Sequence, residues 1–156
     1  MKCDSPAGIL KPNPDATLLA VGHTSGALSI YDLKDKSDEA SPDPEVTFEG
    51  HTSNVTGIAW DHSGTVVASG GKDTKIILWD CVSETGIAKF KGHKGPVTQL
   101  KFWKESKYLL SCSIDATVHL WDTRTNECVQ TIPCISQVII TYLFPVTAMA
   151  FILNWC

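Results

Sequence analysis

A repeat with a period of 42 residues organises this chain. Gly50-His51 recurs as Gly92-His93, and Trp79-Asp80 recurs as Trp121-Asp122. In both copies the tryptophan lies 28 residues after the histidine. A fixed period of this length is typical of repeat architectures, in which each copy forms one supersecondary unit and neighbouring copies stack. The repeat therefore predicts stacked copies of one small unit.

Each copy shows the pattern of four short strands separated by turn residues. The strands predicted for the second copy are 55–61, 66–69, 75–79 and 87–90, and those for the third are 97–102, 108–113, 117–121 and 128–132. Residues rich in Gly, Ser, Asp and Thr separate them. A weaker copy precedes both, with apolar runs at 18–22 and 27–32. The chain is expected to be all-β, with one four-stranded antiparallel sheet per copy.

The period, the Gly-His opening and the Trp-Asp closing resemble the WD-repeat family, whose repeats form the blades of a β-propeller. The resemblance covers residues 9–132. It implies a partial β-propeller of about three blades, whereas propellers typically have about four to eight. Such a ring would stay unclosed, so further blades, self-association or a partner chain would have to cover its terminal blades.

Four residues at fixed spacing within the repeat can form a chain of hydrogen bonds. The indole N–H of Trp79 can only donate, and Ser69 can accept from it and donate onward. His51 can accept at one ring nitrogen and donate at the other, and Asp73 can accept from His51. This set resembles the structural tetrad of the family, and it recurs as His93, Ser111, Asp115 and Trp121. A satisfied buried network of this kind makes a sheet rigid and specifies its packing.

Ser, His and Asp together could also indicate a hydrolase triad. However, each set lies inside its own repeat with a tryptophan attached, and the sequence has no G-x-S-x-G elbow. It also has no glycine-rich phosphate loop and no cluster of metal ligands. We therefore predict a protein that is not an enzyme and binds no cofactor. His23, His62 and His119 are interpreted as solvated or packing side chains.

The first copy departs from the pattern. Counting back from Tyr31 places Val21, Ser25 and Cys3 at the positions of the tetrad Ser, Asp and His, so no tetrad is expected there. The predicted organisation is a degenerate repeat in 1–33, a charged proline-containing loop in 34–45, two complete repeats in 46–132 and an apolar divergent tail in 133–156. The loop is interpreted as solvated, with a binding loop as the alternative.

The tail has an unusual composition, because residues 128–156 contain no charged residue. Its apolar stretch, 138–153, is interrupted by Pro145 and is shorter than the roughly 20 residues of a spanning helix. No membrane partner is therefore expected. The tail is either the first strand of a fourth blade or unrelated sequence joined at a truncated gene model. The abrupt loss of charge favours the second interpretation.

Charge and cysteine content limit the function. A net charge of −4 gives no support to electrostatic binding of nucleic acid, and six cysteines without a C-x-x-C pair are typical of a reduced cytosolic or nuclear protein. Within the family, residues 46–51, 69–80, 83–86 and 90–94 resemble repeats of a nucleolar component of the small-subunit processome.

That resemblance implies a scaffold in ribosome biogenesis that meets pre-rRNA or small nucleolar RNA only through protein partners of a multi-subunit assembly. It also implies a nucleolar or nuclear location. The alternative is a generic WD-repeat adaptor, cytoplasmic in location, that binds peptides in signalling or ubiquitin ligation. The fold alone does not choose between these functions, because propellers serve unrelated ones.

Overall fold

The computed structural model describes residues 5–34 and 43–134, which form twelve strands in three four-stranded sheets. Blade 1 contains β1 (Ala7–Pro12), β2 (Leu18–His23), β3 (Leu28–Asp32) and β4 (Val46–Phe48). Blade 2 contains β5 (Val55–Trp60), β6 (Val66–Gly71), β7 (Ile76–Asp80) and β8 (Thr85–Phe90). Blade 3 contains β9 (Val97–Trp103), β10 (Tyr108–Ser113), β11 (Thr117–Asp122) and β12 (Glu127–Pro133).

Every pair of neighbouring strands is antiparallel, and sequence order equals spatial order in all three sheets. The predicted fold class is confirmed: the described residues form an all-β, unclosed set of three four-stranded antiparallel blades. Short turns connect the strands within a blade, as the Gly, Asp and Ser content of these segments predicted.

The strand that precedes each Gly-His dipeptide belongs to the preceding blade. β4 lies immediately before Gly50-His51, yet it pairs with β3 of blade 1 through Leu28↔Phe48 and Ile30↔Val46. In the same way β8 precedes Gly92-His93 and pairs with β7. Each Gly-His dipeptide therefore lies in the connection that leads the chain from one blade into the next.

The core lies between the blades. Phe48, at the end of blade 1, stacks on Trp79 of blade 2 at a ring-centroid distance of 4.9 Å. Phe90, at the end of blade 2, packs on Trp121 of blade 3 at 5.1 Å. Apolar residues of the adjoining strands, among them Leu28, Ile58, Leu78, Leu100 and Leu109, complete the two interblade layers. The hydrophobic effect thus joins the blades through the same two aromatic positions in each repeat.

A third apolar cluster lies on the face of blade 3 that points away from blade 2. Leu110, Cys112, Val118 and Leu120 are buried in it. Trp103 and Tyr108 pack against its side.

Most of the predicted 34–45 loop, Cys3, and the tail from residue 135 onward lie outside the described residues. None of the described residues belongs to a helix long and apolar enough to cross a membrane.

Candidate functional site

The structure brings His51, Ser69, Asp73 and Trp79 into one hydrogen-bonded chain. Trp79 Nε1–H donates to Ser69 Oγ at 2.8 Å. His51 Nε2 lies 2.9 Å from Ser69 Oγ, and His51 Nδ1 lies 2.9 Å from Asp73 Oδ1. Since Asp73 can only accept, Nδ1 donates to it and Nε2 accepts from the serine hydroxyl. Each polar atom of the chain has a partner, and Ser69 is fully buried.

The second tetrad repeats this geometry in blade 3. Trp121 Nε1–H donates to Ser111 Oγ at 2.8 Å, and His93 Nε2 lies 2.7 Å from that oxygen. His93 Nδ1 lies 3.0 Å from Asp115 Oδ2. Asp115 also accepts from the backbone N–H groups of Lys94 at 2.8 Å and Thr117 at 2.9 Å. The aspartate therefore joins the interblade connection to the β10–β11 turn.

Small residues leave space for the first network. A Cβ atom on Gly50 would lie 2.7 Å from the indole edge of Trp79, and one on Gly71 would lie 2.7 Å from His51 Nδ1. The glycine of the Gly-His dipeptide is thus explained by the close approach of the tryptophan. In blade 3 Gly92 meets Trp121 in the same way, at 3.0 Å.

The hydrogen bonds stabilise the charged form of both aspartates. Burial alone would raise the pKa of Asp73, but the bonds from the Thr52 N–H and from His51 outweigh it and bring the pKa below its ordinary value. At Asp115 burial would also raise the pKa, but hydrogen bonds from Thr117, Lys94 and His93 outweigh it. The pKa of Asp115 therefore lies well below its ordinary value. Both carboxylates are therefore ionised acceptors at neutral pH.

A hydrolytic role does not fit this geometry, although the Ser–His–Asp distances resemble those of a catalytic triad. Ser69 and Ser111 are both 0% exposed, and each hydroxyl oxygen already accepts an indole N–H. A substrate carbonyl has no path to either oxygen. What the arrangement can do is hold the blade in one shape, which is a structural function.

Blade 1 contains a buried histidine of its own. His23, interpreted as a solvated or packing side chain, ends β2 and is only 4% exposed, so it is a packing residue. His23 Nε2 lies 3.0 Å from Ser29 Oγ, and Ser29 Oγ lies 3.2 Å from Thr47 Oγ1. A buried network therefore forms in blade 1, although no tetrad was expected and Val21 and Ser25 do not build one. The reason is that His23 occupies the position of Gly71 and supplies the imidazole from the strand itself.

His119 is buried beside the second tetrad. It is 7% exposed, and its ring stacks on His93 at a centroid distance of 4.0 Å. Nδ1 of His119 is buried without a hydrogen-bond partner. Burial lowers the pKa of His119, the neighbouring His93 lowers it further, and Asp115 opposes the shift. The equivalent residue in blade 2 is Ile77, so alignment of the repeats would have indicated a buried position here.

Another candidate site is a groove of about 620 Å³ that runs along the first strands of the three blades, with Lys11, Trp60 and Gln99 among its lining residues. In the part of the chain that the structure describes, no group of three or more His, Cys, Asp or Glu side chains is placed to hold a metal ion.

Comparison with known proteins places these features in a family. The family model described as "WD domain, G-beta repeat" matches residues 42–80 and 85–122. The chain contains WD40 repeats. A solved structure described as "Structure of U3-55K" superimposes with a TM-score of 0.72 over 85% of this chain and 40% of that chain, at 23% identity. This similarity shows the same propeller fold.

Several named proteins are related in sequence. The target of rapamycin complex subunit wat1 of Schizosaccharomyces pombe is 33% identical over 80% of this chain and 38% of its own length. The human F-box-like/WD repeat-containing protein TBL1X is 31% identical over 78% of this chain and 22% of its own length. The pre-mRNA-splicing factor cwf17 of S. pombe is 39% identical over 50% of this chain and 23% of its own length. The chain thus spans well under half of each relative.

Proposed function

We propose that this chain is part of a non-enzymatic scaffold that assembles the small-subunit processome and supports 18S pre-rRNA processing. The observation that carries the proposal is the resemblance of residues 46–51, 69–80, 83–86 and 90–94 to early repeats of WD repeat-containing protein 3, a nucleolar component of that assembly. A nucleolar or nuclear location follows from the same resemblance.

The geometry of the blades supports a scaffold. Fully satisfied networks around Ser69 and Ser111 hold the blades rigid, and the turns between strands lie at the surface, where loops carry recognition. Relatives are named as subunits of larger complexes: target of rapamycin complex subunit wat1 and anaphase-promoting complex subunit cdc20. A rigid repeat with exposed turns suits assembly with other proteins.

In this assembly the chain would contact pre-rRNA or small nucleolar RNA only indirectly, because partner proteins would bind the RNA. The chain has a net charge of −4, whereas direct electrostatic binding of RNA requires a basic surface. The name of one relative, pre-mRNA-splicing factor cwf17, refers to another RNA-processing reaction. It gives modest support to a nuclear role and none to the choice of assembly.

A second function is a general adaptor that binds peptides in signalling or ubiquitin ligation. The names of wat1, cdc20 and the F-box-like protein TBL1X favour this possibility. This function implies a cytoplasmic location.

Location and RNA content together distinguish the two functions. The tagged full chain should co-localise with a nucleolar marker, and its affinity purification should enrich 18S precursors. Zero-length ultraviolet crosslinking should attach these RNAs to the partner proteins and leave the chain itself unlabelled. A cytoplasmic pattern without enriched pre-rRNA would contradict the proposal and favour the adaptor.

The chain provides matched controls for this experiment. Asp73→Ala combined with Asp115→Ala removes an acceptor from both tetrads and should reduce the pre-rRNA recovered. Ser25→Ala alters an exposed hydroxyl that bonds Ser5 and should leave recovery unchanged. Equal recovery with both variants would mean that the folded repeats are not what binds the assembly.

A further inference from the structure

The turn between β9 and β10 lacks the cap that holds the equivalent turns of the other blades. In blade 1 Asn13 Oδ1 accepts two backbone N–H bonds, at 2.8 and 3.0 Å. In blade 2 Asp61 Oδ1 accepts two, at 3.0 and 2.9 Å. The equivalent residue of blade 3 is Trp103, whose side chain can donate but cannot accept.

The uncapped turn also has an unusual backbone. Residues 104–106 have φ values of 50°, 53° and 67°, whereas the other two turns each contain one such residue, Ala16 and Gly64. A run of non-glycine residues in the left-handed region is unfavourable, and such runs cluster at binding sites. A contact with blade 2 stabilises the β9–β10 turn, because Ser106 Oγ accepts a hydrogen bond from the His62 N–H at 2.8 Å.

This turn presents two lysines over two aromatic rings. The rings of Trp103 and Tyr108 lie 5.8 Å apart. Lys104 Nζ is 4.5 Å from the centre of the Trp103 ring and 5.9 Å from that of Tyr108, and Lys107 Nζ is 5.4 Å from Tyr108. Both lysines are exposed, and both rings are partly exposed. We call these four residues the β9–β10 turn surface.

A concavity adjoins this surface. It has a volume of about 530 Å³ and lies between the β9–β10 turn and the β5–β6 turn, with Trp60 and His62 on one side and Trp103 and Lys104 on the other. Asp61 and Glu105 also line it. The surface therefore offers a shaped recess as well as charge and aromatic area.

We infer that the β9–β10 turn surface docks an acidic segment of a partner protein, whose carboxylates pair with Lys104 and Lys107 and whose apolar side chains pack against the parts of Trp103 and Tyr108 that the lysines leave exposed. This inference rests on the proposed scaffold function and adds the chemistry of the partner. Aromatic residues are the usual anchors of protein interfaces, and charge complementarity selects among partners.

The position of the lysines favours a protein carboxylate over a nucleic-acid base. Single-stranded RNA binds by stacking its bases on open aromatic faces. Here ammonium groups lie over the faces of Trp103 and Tyr108, so a ligand meets positive charge before it meets the rings. A carboxylate satisfies that charge directly.

Charge reversal at the lysines tests the inference. A short fluorescein-labelled peptide that alternates glutamate with leucine would be titrated against the immobilised full chain at physiological salt. Lys104→Glu combined with Lys107→Glu should weaken its binding roughly tenfold or more, because attraction becomes repulsion. Lys72→Glu combined with Lys91→Glu gives the same change in net charge at exposed positions outside this surface, and it should weaken binding less than about twofold.

Trp103→Asn is the second variant, because it introduces the residue type of Asn13. It should weaken binding of the peptide, and the melting temperature is measured beside it because Trp103 also packs against the third apolar cluster. Unchanged peptide binding by a variant that still unfolds cooperatively would overturn the role of Trp103 in docking.

Three results of the titration would overturn the inference: no binding of the peptide to the unaltered chain, equal weakening by the two lysine pairs, or displacement of the peptide by oligouridine that the Lys104/Lys107 variant no longer binds. The last result would identify a nucleic-acid surface. If the peptide fails to bind while the chain still recovers pre-rRNA from cells, only the docking surface is wrong and the scaffold function stands.

Discussion

Replacement of Asp73 by alanine tests whether the first tetrad stabilises the fold. Asp73 accepts a hydrogen bond from His51 Nδ1 at 2.9 Å and from the Thr52 N–H at 3.0 Å. The His51 side chain is 0% exposed, so its Nδ1 depends on Asp73 for an acceptor. The Thr52 N–H is at the surface, and water can replace its partner. The Lys75 N–H, 3.4 Å from Oδ1, and Lys75 Nζ, 3.6 Å from Oδ2, lose weaker contacts. The main cost therefore arises from one orphaned ring nitrogen.

A change of tautomer cannot remove this cost. If the proton moved to Nε2, His51 would donate to Ser69, and the serine hydroxyl would turn to the Ile77 carbonyl at 3.4 Å. Nδ1 would then be a buried acceptor without a donor. Either way one buried polar atom loses its partner, and the expected loss is about 1–3 kcal/mol. For a chain of this length that corresponds to a melting temperature lower by roughly 3–9 °C.

The measurement is thermal unfolding of the full chain at pH 7, with all variants at one protein concentration. Ser25→Ala is the matched control, because its exposed hydroxyl bonds only Ser5 Oγ and the Ala27 N–H, which water can replace. That variant should stay within about 0.5 kcal/mol of the parent. Equal shifts for Asp73→Ala and Ser25→Ala would refute the assignment of a stabilising tetrad.

Three further predictions concern the histidine pair, RNA and association. His119→Ile removes the unpaired Nδ1 and introduces the residue type of Ile77. It should raise the melting temperature, and more at pH 5 than at pH 7. Since burial and His93 lower the pKa of His119, its contribution to stability is present above about pH 6.5 and is lost as the pH falls; an equal gain at both pH values would contradict this. The full chain, with a net charge of −4, should bind oligouridine weakly at physiological salt, and tight binding that falls steeply with salt would show otherwise. Deletion of residues 133–156 should reduce light scattering, because the apolar run 138–144 has no charged residue; a full chain that is monodisperse at the monomer mass would argue against it.

The alternation of apolar and polar residues, together with the turn residues, predicted the ends of the strands in blades 2 and 3 to within two residues. The strand predicted at 108–113 is Tyr108–Ser113 in the structure. The largest differences are two residues each: β6 was predicted to end at 69 and ends at Gly71, and β8 was predicted from 87 and begins at Thr85. Thr85 and Gly86 read as turn residues in the sequence, but they pair with Asp80 and Trp79 across the hairpin. Cross-strand pairing decided that boundary, and local composition does not show it.

The buried network of blade 1 could not be found by counting back from Tyr31. That procedure assumes that the imidazole comes from the interblade connection, as His51 and His93 do. In blade 1 it comes from His23 at the end of β2, and the serine is Ser29 on β3. A comparison of His23 with Gly71 would have been the useful signal, because a histidine there fills the space that the glycine leaves open.

The three blades show how one fold can carry different surfaces. Blades 2 and 3 use the same residue types for the same buried bonds, so these bonds fix the shape of each blade and cannot distinguish partners. The exposed turns are free of that constraint: Asp61 caps one of them, whereas Trp103 leaves the equivalent turn uncapped and presents an aromatic ring. In blade 3 the turn bonds its own backbone instead, because the Lys107 N–H donates to the Lys104 carbonyl at 3.0 Å, so the exception at Trp103 gives up only the side-chain cap that the other two turns have. An exception of that kind marks the part of the blade where recognition, and not folding, determines the residue.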